Sequence, residues 1–375
     1  MASHSFLPQG ACSSKPGTPL RVLHFINNLE VGGAEILLYN FVTHTQGHGV
    51  EHTIISLKRI GPVGDALRKQ GIEVIALGLP SPFVFLRRML AVVRAVRKAD
   101  VVHTWLYHAN LIGGLLCWGW RPVIWSLHAA GLEKNSFKRS TRMVIALGRW
   151  LSFLLPDRII ACGRSSYDDH ASYGYSTRKM VVINNGVDVS VFRPRPRLKA
   201  TGPLFRIVHA ARYDPQKDHN TLLEAAALAV ASNPSLRLVL CGKGLERSNA
   251  KVMARISELR LESYVTLLGP CSDMAELYPA YDLFVLSSRY GEALPLALCE
   301  AMACGLPAIV TDVGDCRDIV AGSGECVPPA SDSALAQAMV TMSRLSQAEL
   351  AHRGVQARNA IASLYSLEKM SSDYT

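Results

Sequence analysis

The sequence predicts an α/β protein built from two doubly wound, parallel-sheet domains. From Leu20 onward, short apolar runs alternate with longer amphipathic segments, which is the pattern of parallel strands joined by crossover helices. The alternation stops in a Pro- and Arg-rich stretch around Arg195 and starts again at Phe205. A chain of 375 residues is also long for one hydrophobic core. Two soluble domains are therefore expected.

Shifts in composition set the expected domain boundaries. Residues 1–19 are rich in Ser, Pro and Gly and lack a basic leading segment with an apolar core, so a flexible extension is expected rather than a signal peptide. The N-terminal domain is predicted over residues 20–188, a linker over 189–204 and the C-terminal domain over 205–358. A final helix over residues 359–375 is expected to cross back over the linker.

Turn residues and apolar runs place the elements of the first domain. Strands are predicted at Leu20 to Ile26, His52 to Ser56, Ile72 to Leu77, Val101 to Thr104, Val123 to Leu127, Arg158 to Cys162 and Met180 to Ile183. A helix opens at Gly32-Gly33. Ligands of doubly wound sheets bind beyond the carboxyl ends of the strands, so residues that follow the strands are candidate ligand contacts. They are Gly32, Gly33, His103, Tyr107, His108, His128 and Asn185.

The second domain repeats the pattern. Strands are predicted at Phe205 to Ala210, Arg237 to Leu240, Tyr264 to Leu268 and Asp282 to Ser287, with helices between them. After Val327 the chain turns helical, through Ser331 to Met342, Gln347 to Leu364 and a last helix from Ser366.

Composition excludes several classes of protein. The nine cysteines form no Cys-x-x-Cys pair, so neither a disulfide framework nor a zinc site is expected. Charged residues and proline interrupt every long apolar run, for example at Arg121 and Pro122, so no segment should span a bilayer. The cytoplasm is the expected location.

The net charge of +10 lies entirely in the first half of the chain. Residues 1–190 hold 21 Lys and Arg against 11 Asp and Glu, whereas residues 191–375 hold 19 of each. Two segments, Arg87 to Lys98 and Lys134 to Arg149, combine basic and apolar residues. Basic amphipathic helices of this type can lie on an anionic membrane surface, and a solvated helix face is the alternative for each.

The stretch from Arg289 to Pro307 follows a predicted strand and opens a helix at Pro295. Every residue from Leu296 to Cys304 is apolar or small except Glu300, so that carboxyl group should be neutralised, paired or hydrogen-bonded. Glu292 stands eight positions earlier, and the helix start between the two acids offers free amides to an anion. The stretch suits a phosphate beside polar hydroxyls, and a core helix with one satisfied glutamate is the alternative.

A basic pair follows the first strand of the second domain. Arg212 and Lys217 combine a guanidinium fork with a point charge, which suits a diphosphate, and a solvated basic loop is the alternative. Gly242-Lys243-Gly244, after the next strand, allows close backbone approach to a ligand but matches neither a Walker A nor a Gly-x-Gly-x-x-Gly motif. No Asp-x-Asp follows a strand, so a departing diphosphate is expected to be neutralised by these cations and a helix N-terminus rather than by Mg²⁺.

Together the motifs resemble those of the retaining GT-B glycosyltransferases of family 4, over almost the whole chain after residue 19. The resemblance depends chiefly on the Glu-x7-Glu pattern of Glu292 and Glu300. Corroborating motifs are Val31-Gly-Gly-Ala-Glu35, Val102-His-Thr104, Tyr107-His-Ala-Asn110, Ser126-Leu-His128, Asn185-Gly-Val-Asp188, Ala211-Arg-Tyr213, Cys241-Gly-Lys-Gly244, Ala301 to Pro307 and Thr311-Asp-Val-Gly314. The implied fold is GT-B, with two Rossmann-like domains facing a central cleft.

The resemblance also implies roles for individual residues. Glu300 would bind the nucleotide ribose, and Glu292 would hold hydroxyls of the donor sugar without acting as a covalent nucleophile. Backbone amides around Leu294 and Leu296 would meet the phosphates. The other implied contacts are Arg212 and Lys217 at the departing diphosphate, Gly33 and Gly242 near the donor, His128 facing the donor sugar, and Tyr107, His108 and Asn110 toward the acceptor. Ala293, where many members have Gly, and Pro295, which has no N–H, are departures that restrict the set of phosphate-binding amides.

The implied reaction is metal-independent transfer of a sugar, with retained configuration, from a UDP- or GDP-sugar to a hydroxyl of a glycan or lipid-linked acceptor. Cell-surface polysaccharide or glycolipid synthesis is the expected setting. No cofactor and no nucleic-acid partner are expected. The basic first domain makes an anionic membrane surface, at the inner face of the cell membrane, an expected partner.

Two other functions stay open. A GT-B-shaped nucleotide-sugar epimerase would change the sugar without an acceptor, and a catalytically silent protein would bind a nucleotide-sugar without turning it over. A nicotinamide dehydrogenase is disfavoured because no Gly-x-Gly-x-x-Gly follows the first strand.

Overall fold

The computed structural model describes residues 18–78, 82–132, 137–195 and 204–374, with no side chains described for 82–87. The chain divides into two units: unit 1 comprises Met1–Gly186 and Leu367–Thr375, and unit 2 comprises Val187–Ser366. Nearly all of the expected N-terminal extension and the middle of the expected linker lie outside the described residues.

Unit 1 contains a parallel sheet with helices between its strands. The strands are β1 (Leu20–Ile26), β2 (Val50–Ser56), β3 (Glu73–Ala76), β4 (Val101–Trp105), β5 (Val123–Leu127), β6 (Arg158–Ala161) and β7 (Met180–Val182). The helices are α1 (Gly33–Thr45), α2 (Gly61–Lys69), α3 (Pro82–Lys98), α4 (Tyr107–Cys117), α5 (Arg139–Leu151) and α6 (Arg164–Tyr173). In the described part of the chain the strand order is β3-β2-β1-β4-β5-β6-β7. The order reverses between β1 and β4, as in a doubly wound sheet.

Unit 2 repeats this topology. Its strands are β8 (Phe205–Ala210), β9 (Leu236–Cys241), β10 (Val265–Gly269), β11 (Leu283–Leu286), β12 (Ala308–Thr311) and β13 (Glu325–Val327), in the order β10-β9-β8-β11-β12-β13. Its helices are α7 (His219–Ser232), α8 (Ala250–Glu258), α9 (Met274–Leu277), α10 (Leu296–Ala303), α11 (Cys316–Val320), α12 (Asp332–Ser343) and α13 (Gln347–Leu364). The order reverses between β8 and β11, which pair in parallel.

The structure confirms the predicted fold class of two parallel Rossmann-like sheets. The strands β1, β5 and β8 begin and end at the predicted residues. Residues 359–375 hold the end of α13 and a separate helix, α14 (Leu367–Tyr374). The break falls where the amide of Val187 donates to the carbonyl of Tyr365 at 2.9 Å. None of the described helices has the length and apolarity needed to cross a membrane.

Unit 1 also contains a buried chain of hydrogen bonds between side chains. The Trp105 Nε1–H donates to His24 Nδ1 at 3.1 Å, so the proton of neutral His24 is on Nε2. His24 Nε2 then donates to Nδ1 of His52 at 2.9 Å, and His52 Nε2 donates to Thr45 Oγ1 at 2.8 Å. Burial lowers the pKa of His24 well below its usual value and that of His52 to about 4. Both histidines are therefore neutral at physiological pH.

Candidate active site

Two loops meet at the carboxyl ends of β8 and β11, where the strand order of unit 2 reverses. The loop after β8 carries Arg212 and Lys217, and the loop after β11 carries Ser288 and Glu292. Because β8 and β11 are hydrogen-bonded neighbours, residues far apart in sequence come together here. This is the position where open α/β sheets bind their ligands.

The loop after β8 is held by its own side chains. Asp214 accepts from the amide of Gln216 at 3.0 Å and from Arg212 Nε at 3.1 Å. The carbonyl of Lys217 accepts from Ser287 Oγ at 2.7 Å, which ties this loop to the end of β11. The backbone of Lys217 is thus fixed, whereas the Arg212 side chain remains mostly exposed.

Lys217 and Glu292 form an ion pair inside this site. Lys217 Nζ donates to Glu292 Oε1, and the two side chains are only 14% and 7% exposed. Ser288 Oγ donates to the same oxygen at 2.5 Å. Charges buried to this degree need an opposite charge and hydrogen bonds, and this site supplies both. Both were selected from the sequence, but as separate ligand contacts.

The backbone of Glu292 is held against Gly314. Gly314 has φ of +59°, and a Cβ placed on it would lie 1.9 Å from the Glu292 carbonyl oxygen. Only glycine fits this position. Thr311 Oγ1 also donates to the carbonyl of Ser288 at 2.5 Å. The Thr311 to Gly314 motif therefore positions the loop that carries Glu292.

The N-terminus of α10 lies just after Glu292 in the chain. Because α10 begins at Leu296, its first amides have no carbonyl of a preceding helical turn to bond. The amides of Leu298 and Cys299 both bond the Pro295 carbonyl, at 3.1 and 3.3 Å, so the α10 amides that precede them are the ones that face a ligand without a helical partner. Leu294 is a core side chain, so only its backbone is available to a ligand. A helix start of this kind favours an anion.

Glu300 lies inside α10 and is partly buried. Burial raises the pKa of its carboxyl group to about 8, and the neighbouring Tyr278 hydroxyl opposes that shift. The carboxyl group is consequently mostly protonated at neutral pH. Neutralisation is one of the three states that the sequence predicts for a lone acid on an apolar helix.

Gly242 has a role within unit 2. Its φ is +143°, and a Cβ there would lie 2.0 Å from the carbonyl oxygen of Ala211, just before Arg212. Its amide donates to the Gly269 carbonyl at 2.8 Å. Gly242 therefore allows the Arg212 loop to approach closely, and its engaged amide is not available to a phosphate.

Two residues that the sequence predicts to contact the sugar donor, His128 and Gly33, lie in unit 1. The ring of His128 stacks on Trp105, with centroids 4.9 Å apart and planes 4° from parallel. Burial lowers the pKa of His128 to about 4, against an opposing interaction with Asn185, so the ring is neutral at physiological pH. Gly33 is the first residue of α1, and a Cβ there would meet nothing within 4 Å. Packing of this unit does not itself require glycine at that position.

The three predicted acceptor contacts differ in accessibility. The Tyr107 hydroxyl is hydrogen-bonded to His170 Nε2 at 2.9 Å, and Asn110 Nδ2 donates to the carbonyl of Ser126 at 3.1 Å. Both side chains are buried; Tyr107 fastens α4 to α6, and Asn110 fastens it to β5. His108 is partly exposed and is the accessible member of the three.

Sequence reasoning missed two residues of the unit 2 site. Ser288 could have been suspected, because a Ser-Ser pair ends an otherwise apolar strand. Arg289, whose Nη1 lies 3.8 Å from Asp218 Oδ2, gave no distinct signal. In the part of the chain that the structure describes, no group of three or more His, Cys, Asp or Glu is arranged to hold a metal ion.

Comparison with known families agrees with this geometry. Residues 31–191 match the model described as Glycosyltransferase Family 4, and residues 194–358 match the model described as Glycosyl transferases group 1. The Bacillus subtilis protein EpsF, which is named as a glycosyltransferase, is 26% identical over 311 residues, which are 78% of this chain and 79% of EpsF. The Escherichia coli protein WcaL, named for colanic acid biosynthesis, is 30% identical over 197 residues, which are 50% of this chain and 48% of WcaL. The chain thus spans about half the length of WcaL.

A solved structure shows the same fold over nearly the whole chain. The Anabaena protein HepE in complex with UDP superposes with a TM-score of 0.82 and 20% identity, and the match covers 94% of this chain and 98% of HepE. HepE in complex with UDP-glucose gives a TM-score of 0.80. At this identity the likeness shows the fold.

Proposed function

Because this chain belongs to the group 1 glycosyltransferases and has the GT-B fold, we propose that it transfers a sugar, with retained configuration, from a UDP-sugar to a hydroxyl group. The Lys217–Glu292 pair, at the carboxyl ends of β8 and β11, carries the proposal. It joins a cation suited to a diphosphate to a carboxylate suited to sugar hydroxyls. UDP is preferred over GDP because HepE, of the same fold, binds UDP and UDP-glucose.

In the proposed complex the Lys217 ammonium binds the diphosphate. Because it has three N–H donors, it can donate to a phosphate oxygen and keep its bond to Glu292. Ser288 keeps Glu292 in place, and the second carboxylate oxygen accepts from the sugar hydroxyls. Arg212 exchanges its bond to Asp214 for the diphosphate. The amides at the start of α10 add further donors.

In the proposed reaction the bond between the anomeric carbon and the diphosphate breaks as the acceptor oxygen approaches from the same face. The acceptor proton passes to the departing phosphate oxygen, so nucleoside diphosphate and glycoside are the products. Lys217, Arg212 and the α10 amides stabilise the charge that builds on the leaving group, without a metal ion. Glu292 positions the sugar and does not form a covalent bond.

The proposed acceptor is a glycan or lipid-linked intermediate of polysaccharide or glycolipid synthesis. The names of EpsF and WcaL support a glycosyltransferase of polysaccharide synthesis. The excess of cations in the first half of the chain supports an acceptor at an anionic membrane surface. His108 is the proposed acceptor contact because it is partly exposed, and His128 is the proposed contact to the donor sugar.

A thermal-shift series with UDP-, GDP- and ADP-sugars tests the donor. A UDP-sugar should raise the unfolding temperature, because a ligand that binds only the native state stabilises it. Incubation with labelled donor then separates the activities. A transferase releases nucleotide with an acceptor extract, an epimerase converts the sugar without one, and a silent protein does neither. Either of the last two results would overturn the proposal.

A further inference from the structure

We propose that the solvent-facing side of α5, with the turn that follows it, docks on an anionic phospholipid bilayer. Met143 and Trp150 are 76% and 68% exposed, and Leu147 and Leu154 are exposed as well. Positions 143, 147 and 150 are spaced four and three residues apart, so they lie on one face of α5, and Leu154 follows in the turn after the helix. We call these four residues the α5 stripe. Four large apolar side chains side by side in water are unusual on a soluble protein surface.

The opposite side of α5 fixes this stripe in place. Ile145 and Gly148 are buried against unit 1, and the Tyr175 hydroxyl donates to the Ile145 carbonyl at 3.1 Å. Lys179 Nζ donates to the carbonyls of Phe153 and Pro156, both at 2.7 Å, which closes the turn after the helix. The stripe is therefore presented by an anchored helix.

The charges around the stripe select an anionic partner. Residues 137–156 contain Lys138, Arg139, Arg142 and Arg149, and they contain no Asp or Glu. The Arg149 guanidinium lies 4.7 Å from the centroid of the Trp150 ring. Apolar side chains flanked by long cations suit the boundary between acyl chains and phosphate headgroups, where Arg reaches the phosphates.

The neighbouring helix has the same character. Leu115, Trp118 and Trp120 are exposed at the end of α4, which packs against α5. The Arg97 guanidinium lies 5.8 Å from the centroid of the Trp120 ring. Indole rings are enriched at membrane interfaces because one edge is polar and the rest apolar. A bilayer explains both sets of residues, since it combines anionic headgroups with an apolar layer.

This inference extends the membrane acceptor of the proposed function, but vesicle binding needs neither donor nor acceptor. The test is co-sedimentation of the full chain with phosphatidylglycerol-containing vesicles and with pure phosphatidylcholine vesicles. The wild type should bind the anionic vesicles, and more weakly as salt increases. Replacing Met143, Leu147 and Trp150 by Ser should weaken binding by at least about tenfold. Replacing Arg139 and Arg142 by Glu should weaken it similarly.

Matched controls lie in unit 2. The exposed apolar residues Leu228 and Val355, changed to Ser, should bind vesicles like the wild type, as should Arg247→Glu with Arg344→Glu. Unchanged UDP affinity and unchanged melting of the stripe variant would separate loss of docking from loss of the nucleotide site or the fold. The inference is wrong if the wild type does not bind anionic vesicles at low salt, or if the stripe variant binds them equally well. It is also wrong if sedimentation shows that the stripe instead joins two copies of the chain.

Discussion

Lys217 and Glu292, 75 positions apart in sequence, form a buried ion pair that Ser288, in the loop after β11, completes with a hydrogen bond. This contact is present before any ligand arrives. The site is thus assembled without substrate, and a nucleoside-diphospho-sugar would meet a cation and a carboxylate already in place. Preorganised charges of this kind need little rearrangement as charge develops in a reaction.

Removing either partner should impair both turnover and stability. Lys217→Ala and Glu292→Ala should each lower kcat by about a hundredfold or more. Each should also lower the free energy of unfolding by about 3 kcal/mol, because it leaves a buried charge unpaired. The double variant should be more stable than the sum of the two single effects implies, as a double-mutant cycle would measure. Lys243→Ala, an exposed lysine in a neighbouring loop, is the control, and equal losses in that variant would contradict the assignment.

Glu300 should control nucleotide affinity more than turnover. Glu300→Ala and Glu300→Gln should weaken UDP binding by about tenfold with little change in kcat, since the proposed bond to ribose is present before and during the reaction. Isothermal titration with UDP and saturation kinetics would measure the two effects. A large loss of kcat at unchanged affinity would argue against the ribose role.

The raised pKa of Glu300 gives a pH dependence. If ribose hydroxyls donate to the ionised carboxylate, UDP affinity should rise by up to about tenfold per pH unit as the pH approaches about 8, and then level off. Glu300→Gln corrects for titration of the nucleotide itself and should lack this component. In the absence of ligand, the stability of the fold should change with pH in the opposite direction to the UDP affinity, because folded Glu300 holds a proton that the unfolded chain has lost. The contribution of Glu300 to the free energy of unfolding should fall as the pH rises from its ordinary pKa of 4.5 to about 8. Equal pH profiles for the wild type and Glu300→Gln would refute both expectations.

Gly314→Ala should displace the loop that carries Glu292. The added Cβ would collide with the Glu292 carbonyl at 1.9 Å, so the loop must move and turnover should fall at least about tenfold. Gly322→Ala is a matched control, because Gly322 also has a positive φ, of +78°, but a Cβ there meets nothing within 4 Å. Gly322→Ala should lower the free energy of unfolding by only about 1 kcal/mol, through backbone strain, and leave turnover unchanged. Comparable kinetic losses in the two variants would show that the contact with Glu292 is not the cause.

The buried histidine chain of unit 1 should make this unit sensitive to acid. His52 has a pKa of about 4 in the folded protein against an ordinary value of 6.5, so the unfolded chain binds more protons between these values. Stability should therefore fall as the pH drops below 6.5, by about 2 kcal/mol at pH 5 from this residue alone.

Tryptophan fluorescence during urea unfolding can measure this effect, because all five tryptophans lie in unit 1. His52→Gln keeps one acceptor and one donor and should reduce the loss of stability between pH 7 and pH 5. His352→Gln, at an exposed position, should leave it unchanged. A pH dependence that His52→Gln does not alter would mean that other groups cause it.

The sequence predicted the elements and the site residues better than the contacts between them. Strands such as β5 and β8 are apolar runs bounded by turn residues, so their ends could be located from local pattern. Lys217 and Glu292 were identified by charge type and by their place after strands. Their mutual ion pair depends on β8 lying beside β11, which a list of strands does not specify.

Burial was the second property that the sequence did not provide. Tyr107 and Asn110 follow a strand as ligand contacts do, yet both side chains are engaged in hydrogen bonds that hold α4 against α6 and β5. Gly242 lies in a glycine-rich loop, but the Ala211 carbonyl packs closely against it and its amide bonds the Gly269 carbonyl. The opposite case is α5, where Ile145 is buried and Trp150 is exposed. Both residues are apolar, so the sequence alone does not show which of them faces solvent.

Sugar transfer from a labelled UDP-sugar, compared between the wild type and Glu292→Gln, tests the central claim most directly. The purified chain would be incubated with a panel of labelled UDP-sugars and a membrane lipid extract, and the labelled glycolipid and released UDP would be measured together. The wild type should form both in equal amounts from at least one donor, and Glu292→Gln, which retains the shape of the side chain, should form almost none. Equal product from the two proteins, or no release of UDP by the wild type with any donor and extract, would contradict the claim.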